Sequence, residues 1–180
     1  MPRTIDVEKL SIVHYPDPVL RKACQPVEQF DDRLRRLAVR MLELMHLGRG
    51  VGLAAPQVGL TWRLFVCSHT GEPGDDLVLV NPELFDLTGV GEREEGCLSL
   101  PGVSVPVRRA SSVRIQACDL EGNPFEREGT DLAARVWQHE HDHLDGRLIV
   151  DYMSEASKII NRRILKQLQA DYENGQKKSA

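Results

Sequence analysis

The residues with the clearest chemical potential are the five at positions 139–143, which read His-Glu-His-Asp-His and contain the spacing H-E-x-x-H. On a helix, residues four apart lie on one face, so His139 and His143 can direct two imidazoles at one metal ion. Glu140 follows the first histidine and can act as a base beside that ion. His141 lies on another face of the helix, and we do not expect it to be a ligand. The spacing therefore predicts a metal-dependent hydrolytic site.

A third protein ligand is needed, because catalytic sites of this type hold the metal with three protein ligands and keep one position for water or substrate. Downstream of the histidines, Glu155 is the best of a weak set of carboxylates, and its use would make the chain a zinc endopeptidase. Upstream, Cys97 lies between glycine and proline residues, and its thiolate would complete a Cys/His/His set. A structural metal site closed by a fourth residue is the non-enzymatic alternative. Spacing alone leaves these three alternatives open.

Three helices and a series of strands are predicted to position these residues. Apolar residues at three- and four-residue steps predict helices over residues 34–47, from residue 131 through the two histidines, and from residue 155 to about residue 171. Strand-like segments bounded by turn residues cover residues 62–68, 77–81, 84–90, 103–107 and 113–119. The apolar side of the last helix comprises Ile159, Ile160, Ile164, Leu165 and Leu168. Because the strands follow one another without intervening helices, we predict an α+β fold of antiparallel sheets packed around the metal-binding helix, with an N-terminal and a C-terminal helix.

Length, composition and charge limit the class of protein. The chain has 180 residues, of which 41% are hydrophobic and 28% charged, as in one globular domain. We predict a single catalytic domain over residues 1–172 and a flexible polar tail over residues 173–180. Without a bilayer-spanning segment, a secretion signal or a cysteine pattern typical of disulfides, we expect a cytoplasmic protein with free thiols and no membrane partner. A net charge of −4 argues against a general affinity for nucleic acid.

Three segments resemble the signature motifs of the peptide deformylases in sequence, in order and in approximate spacing. They are residues 50–59 (GVGLAAPQVG), 95–99 (EGCLS) and 138–144 (QHEHDHL). The resemblance covers nearly the whole chain, including residues 15–21, and it is far more specific than H-E-x-x-H alone. It implies a hydrolase that removes the formyl group from the N-terminal formylmethionine of newly made polypeptides and releases formate.

The resemblance also assigns roles to individual residues. The cysteine of the second motif and the two histidines of the third bind the metal in this family, which carries over to Cys97, His139 and His143. One divalent ion is implied, ferrous iron (Fe2+) in the cell, with zinc, nickel or cobalt as substitutes. Glu140 would take the proton of the attacking water and pass it to the leaving amine. The side-chain amide of Gln57 and the backbone N–H of Leu98 would donate hydrogen bonds to the oxyanion.

The first motif and the metal-binding helix are expected to bind the peptide. Gly52 would hydrogen bond to an extended peptide, as in β-strand addition. A dinucleotide-binding fingerprint fits the same glycines but requires a preceding strand, whereas a helix is predicted there. Spacing suggests that Leu132 and Val136, together with Val51, line an apolar slot for the methionine side chain. The expected partners are therefore N-formylmethionyl nascent peptides.

Two groups of basic residues lie outside the motifs. Arg108 and Arg109 could contact the peptide, but we interpret them as a solvated strand end. The last helix carries four basic residues, Lys158, Arg162, Arg163 and Lys166. They raise the hypothesis of a transient ribosome contact, for which a solvated basic face is the simpler alternative.

Overall fold

A computed structural model describes residues 6–69 and 74–179 of the chain. These residues form three α-helices and seven β-strands, joined by loops and short 3-10 helices. The helices are α1 (Asp32–Leu47), α2 (Asp131–Leu144) and α3 (Glu155–Ser179). The strands are β1 (Gly52–Ala54), β2 (Leu64–Ser68), β3 (Asp76–Thr88), β4 (Gly91–Cys97), β5 (Leu100–Arg109), β6 (Ser112–Cys118) and β7 (Pro124–Thr130).

The strands form two antiparallel sheets, which confirms the predicted α+β fold. Five strands pair in the order β1-β2-β3-β6-β7, and β4 pairs with β5 in a separate hairpin. Strand β1, which is part of the first signature motif, therefore lies at an edge of the larger sheet. No helix within the described residues is long and apolar enough to cross a membrane.

The five-stranded sheet is covered on both faces at β2, which is therefore buried on both sides. In β2, Phe65 and Cys67 belong to a core cluster with the apolar residues of α2, whereas Leu64 and Val66 belong to a cluster with those of α1. All five residues of β2 are accordingly buried. Helix α2 thus packs along its length against the sheet, and this close packing fixes the positions of its side chains.

Several strand boundaries differ from those predicted. The two segments at 77–81 and 84–90 are one strand, β3, because the chain at Asn81 forms a bulge opposite β6 with a positive φ of 52° instead of a turn. Strand β1 was not predicted, and neither were β4 and β7. Strands β4 and β7 are rich in charged residues, with the sequences GEREEGC and PFEREGT, so their apolar alternation is hidden.

Helix α3 differs from its prediction in length and in orientation. It continues to Ser179, so the segment predicted to be a flexible tail is helical at residues 173–179; the domain boundary at residue 172 stays a prediction. Ile159 and Ile160 were predicted to face the core, but they are 74% and 79% exposed. The buried side instead includes the polar residue Asn161, whose Nδ2 donates to the Ser104 carbonyl at 3.0 Å.

Candidate metal centre

The three predicted metal ligands converge on one point. One ligand atom each from Cys97, His139 and His143 lies within 4.8 Å of the others. The two histidines share one face of α2, as the four-residue spacing predicts. Cys97 is the last residue of β4 and pairs with Leu100 across the tight turn to β5, which holds the thiol over the helix. The sequence position of Cys97, more than forty residues before His139, gave no indication of this contact.

The chemistry of this donor set fits a divalent metal ion. Burial lowers the pKa of His143 well below its usual value, so the imidazole is neutral, which is the form that binds metals. Burial also opposes a charge on His139, but the Cys97 thiol and the Glu95 carboxylate outweigh burial and raise its pKa. The surroundings of His139 therefore favour a positive charge at this position, and a metal cation bound there would supply it.

Glu140 lies beside the ligands with one oxygen free. Its side chain is buried, and among the described residues its Oε2 atom has no hydrogen-bond partner. A Cβ atom at Gly52 would come within 2.7 Å of Glu140 Cδ, so only glycine at position 52 leaves room for this carboxylate. Burial raises the pKa of Glu140 to about 7. A carboxyl group of this pKa can both accept and donate a proton near neutrality.

Gln57 is held next to the metal ligands by its own backbone segment. It lies in a short 3-10 helix, Ala55–Val58, and is 1% exposed. Its Oε1 accepts a hydrogen bond from the Ala54 N–H at 2.7 Å, which turns Nε2 toward Cys97 Sγ at 3.3 Å. The amide N–H of Gln57 is therefore directed into the site. Leu98 follows Cys97 at the turn and lines the same cleft.

The predicted substrate-binding residues line one cleft of about 440 Å³ that opens beside the ligands. Val51, Gly52, Leu132 and Val136 are among its lining residues, together with Glu140. Val136 is buried, whereas Val51 and Leu132 are 39% and 47% exposed, which places them at the mouth of the cleft. The structure thus brings these residues together, and their role in binding methionine stays a prediction.

Sequence reasoning missed a buried ionic network behind His139. Glu95 Oε2 lies 3.0 Å from His139 Nδ1, and Arg109 donates to the Glu95 carboxylate from Nε and Nη2 at 3.0 and 2.9 Å. Arg109 Nη1 also contacts Asp142 Oδ2 at 2.5 Å, and Tyr152 donates its hydroxyl to the same oxygen at 2.7 Å. The interpretation of Arg109 as a solvated strand end was wrong, since this residue is 6% exposed.

The network fixes the charge of Glu95. Burial alone would raise the pKa of this carboxyl group, but hydrogen bonds from His139 and Arg109 lower it to about 2. An ionised partner at Nδ1 orients the imidazole and increases its basicity as a ligand. One sequence signal could have indicated Arg109. In β5, every second residue from Val103 to Arg109 points inward, so the alternation of Val103, Val105 and Val107 places Arg109 on the buried face.

Two residues considered in the sequence analysis are outside the site. The Glu155 side chain is 87% exposed and pairs with Lys158 at 2.7 Å, so the endopeptidase alternative lacks its third ligand. His141 points away from the metal ligands, as expected, and its Nε2 lies 2.9 Å from Arg63 Nη2.

Comparison with known proteins identifies the family. The family model described as polypeptide deformylase matches residues 9–158. The chain belongs to this family. It is 49% identical to the peptide deformylase of Alkalilimnicola ehrlichii over 160 residues. This alignment covers 88% of this chain and 90% of the relative. The chain is 44% identical over 162 residues to the peptide deformylase of Acidobacterium capsulatum, covering 88% of this chain and 95% of the relative.

Solved structures of deformylases share the fold. Peptide deformylase 1B of Arabidopsis thaliana superposes with a TM-score of 0.87 at 40% identity, covering 92% of this chain and 93% of the other. The deformylase of Legionella pneumophila superposes with a TM-score of 0.84 at 45% identity, covering 89% of this chain and 97% of the other. The family resemblance inferred from the three motifs is therefore confirmed.

Proposed function

We propose that this protein removes the formyl group from the N-terminal formylmethionine of newly made polypeptides by metal-dependent hydrolysis. The activity is that of the polypeptide deformylase family, to which the chain belongs. The observation that carries the proposal is the convergence of Cys97, His139 and His143 beside the free carboxylate oxygen of Glu140. Such a set of three ligands and one base suits the hydrolysis of an amide bond.

Glu140 moves the proton in this scheme. A divalent ion held by Cys97, His139 and His143 would act as a Lewis acid, which lowers the pKa of water and polarises a carbonyl group. Water adds to the formyl carbon, and Glu140 takes the proton that the water loses. Glu140 then gives this proton to the amide nitrogen as the C–N bond breaks, which releases formate and a free amine. Its pKa of about 7 supports both transfers.

Gln57 and Leu98 are proposed to stabilise the negative charge that develops on the formyl oxygen. The buried amide of Gln57 is already turned into the site by its bond to the Ala54 N–H, so donating a hydrogen bond requires little reorganisation. The backbone N–H of Leu98 follows Cys97 directly and is the second donor. Removing one such donor typically lowers the rate by about two to three orders of magnitude.

The peptide is proposed to bind as an added strand beside the start of β1 and the residues that precede it. Strand β1 lies at a sheet edge, and Gly52 at its start lines the cleft, so its backbone can hydrogen bond to an extended chain. The methionine side chain would occupy the slot formed by Val51, Leu132 and Val136. We expect Val136→Phe to fill this slot and raise KM for formylmethionyl peptides more than kcat. Unchanged KM and unchanged preference for methionine would rule out the slot.

We infer that the ion is ferrous iron and that the protein acts in the cytoplasm, where formylated chains are made. One thiolate and two imidazoles also suit zinc, nickel and cobalt. An Fe2+ site with a thiolate ligand should lose activity in air. Protein prepared without oxygen should therefore contain more iron and release formate faster than protein prepared in air, and equal iron content and equal activity would argue against iron.

A transient ribosome contact through α3 is also proposed. The basic residues Arg162, Arg163 and Lys166 are exposed on this helix near the exposed Ile159 and Ile160. The triple variant Arg162→Glu, Arg163→Glu, Lys166→Glu should co-sediment less with ribosomes than wild type. Equal co-sedimentation would leave α3 with a solvated basic face.

The decisive experiment is formate release from a short N-formylmethionyl peptide, with anaerobic protein supplied with Fe2+. Glu140→Ala should retain the metal and release formate about 100 to 10,000 times more slowly, because it lacks the proton carrier. The exposed Glu155→Ala is the matched control and should resemble wild type. Cleavage of internal peptide bonds would favour an endopeptidase, and a bound metal without any hydrolysis would favour a structural site.

A further inference from the structure

Arg49 occupies an unusual backbone position on the wall of the cleft. Helix α1 ends in a two-bond motif in which the Gly50 N–H donates to the Met45 carbonyl and the Arg49 N–H to the His46 carbonyl, both at 2.9 Å. This motif places residue 49 in the left-handed region, with a φ of 54°. Glycine is the usual residue there, because it adopts this conformation without steric cost. A side chain kept at such a position invites a functional explanation.

Both sequence neighbours of Arg49 are glycines, so Arg49 is the residue of the segment 48–50 that carries a side chain. A Cβ atom at Gly48 or Gly50 would come within 3.0 Å of the Leu98 side chain, so the close approach of Leu98 favours glycine at both positions. Arg49 is exposed and lines the cleft. Within the described part of the chain, its guanidinium makes no hydrogen bond or ion pair.

The other arginine of the cleft is already engaged. Arg135 Nη1 contacts Glu95 Oε1 at 2.6 Å and the Val107 carbonyl at 3.0 Å, and its Nη2 donates to the Gly91 carbonyl at 2.9 Å. Glu94, an exposed carboxylate of the lining, accepts the Ser104 hydroxyl at 2.5 Å. Among the described residues, Arg49 is therefore the arginine of the cleft that is available for a bound molecule.

We propose that Arg49 is a specificity-determining residue, which favours substrates with Asp or Glu shortly after the formylmethionine. The inference rests on the proposed function. Gly52 lies against Glu140, and residues 51, 50 and 49 follow it along the cleft wall. A peptide added along this wall extends by about 3.3 Å per residue, so its second to fourth residues come within reach of the Arg49 side chain. A carboxylate there would pair with the guanidinium, whereas a lysine would be repelled.

The test measures kcat/KM by formate release for matched formylmethionyl peptides carrying Asp or Lys at position two, three or four. Comparing the Asp-to-Lys ratio within each variant cancels any general loss of activity. Wild type should prefer Asp at one of these positions by about two- to fivefold, as for an exposed ion pair, and the preference should shrink as salt is added. Arg49→Glu should invert the ratio.

Two further variants separate specificity from structure. Arg36→Glu makes the same charge change on the exposed side of α1, outside the cleft, and should keep the wild-type ratio. Arg49→Gly should bring the ratio close to one without lowering the melting temperature, because glycine suits the positive φ better.

Equal ratios in Arg49→Glu and Arg36→Glu, or a wild-type ratio of one at all three positions, would overturn the inference and leave Arg49 a solvated residue. Failure of the proposed function is a distinct result: wild type would then release no formate from any of the peptides.

Discussion

Helices α2 and α3 depart from the ordinary amphipathic pattern in opposite directions. Helix α2 buries four polar residues, Gln138, Glu140, Asp142 and His143, whereas α3 leaves the large apolar residues Ile159 and Ile160 in solvent. Helix α2 lies between the five-stranded sheet and the β4–β5 hairpin, so almost every side chain has neighbours. Helix α3 packs mainly against β5 of that hairpin, and most of its residues are exposed. Burial in these two helices therefore follows the available packing surface more closely than the polarity of the side chain.

Buried polar residues in α2 are tolerated because partners from other elements satisfy them. Gln138 donates to the Ala110 carbonyl and accepts from the Ala110 N–H, both at 3.0 Å. Asp142 is satisfied by Arg109 and Tyr152. Glu140 and His143 differ, because Oε2 of Glu140 and Nδ1 of His143 have no hydrogen-bond partner within the described residues. Both residues belong to the proposed reaction centre. Among the four buried polar residues named above, the unpaired atoms thus lie at the proposed metal centre.

The largest expected effect follows from removing the cation that balances the buried carboxylates around α2. Arg109→Met would leave Asp142 with only the half-exposed Arg147, at 3.5 Å, and would remove from Glu95 one of its two arginine partners. Breaking a buried ion pair from one side typically costs about 3–5 kcal/mol. We expect urea unfolding to show a loss of this size in the free energy of unfolding.

Arg114→Met is the matched control for that loss. Arg114 also contacts two carboxylates, Asp86 at 3.3 Å and Glu126 at 2.8 Å, but its side chain is 45% exposed. Exposed pairs contribute about 1 kcal/mol or less, so this variant should remain close to wild type. Equal losses in the two variants would mean that burial does not distinguish these ion pairs.

A smaller effect should separate the apolar residues of the two helices. Leu144→Ala removes a fully buried side chain of α2 and should lower the free energy of unfolding by about 2–4 kcal/mol. Ile160→Ala removes a similar volume from α3, where the side chain is 79% exposed, and should change it by less than about 0.5 kcal/mol. A larger loss at Ile160 would mean that the outer face of α3 is covered in solution, and the loss should then depend on protein concentration.

The sequence was informative where local periodicity or a motif determines the outcome. It predicted α1 to within two residues at its start, the helical face shared by His139 and His143, and the antiparallel character of the strands. Cys97 was predicted to be a ligand only from the family resemblance, because its spacing from the histidines does not indicate that the end of a strand lies beside a distant helix. The roles predicted for Gln57 and Leu98 depended on the same resemblance.

Contacts that depend on three-dimensional neighbours were not predictable. Glu95 lies in a strand whose charged residues conceal its alternation, and its partner Arg109 comes from the opposite strand of the hairpin. Ile159 and Ile160 fit a helical apolar stripe, but the sequence does not show which face of α3 packs against the hairpin. Periodicity identifies a face of an element; it does not identify what, if anything, packs against that face.

The smallest expected effect tests whether the buried charge behind α2 tunes the metal site. Glu95→Gln keeps the shape of the side chain but removes the ionised partner of His139 Nδ1. Loss of such a partner typically weakens metal binding by about 10- to 100-fold, which competition with a chelator would measure. Glu94→Gln changes the adjacent residue of β4, whose exposed carboxylate bonds to Ser104 and makes no contact with a ligand histidine. It should leave metal affinity unchanged. If both variants weaken metal binding equally, the general negative charge of the hairpin would be responsible. The contact between Glu95 and His139 would then have no specific role in metal affinity.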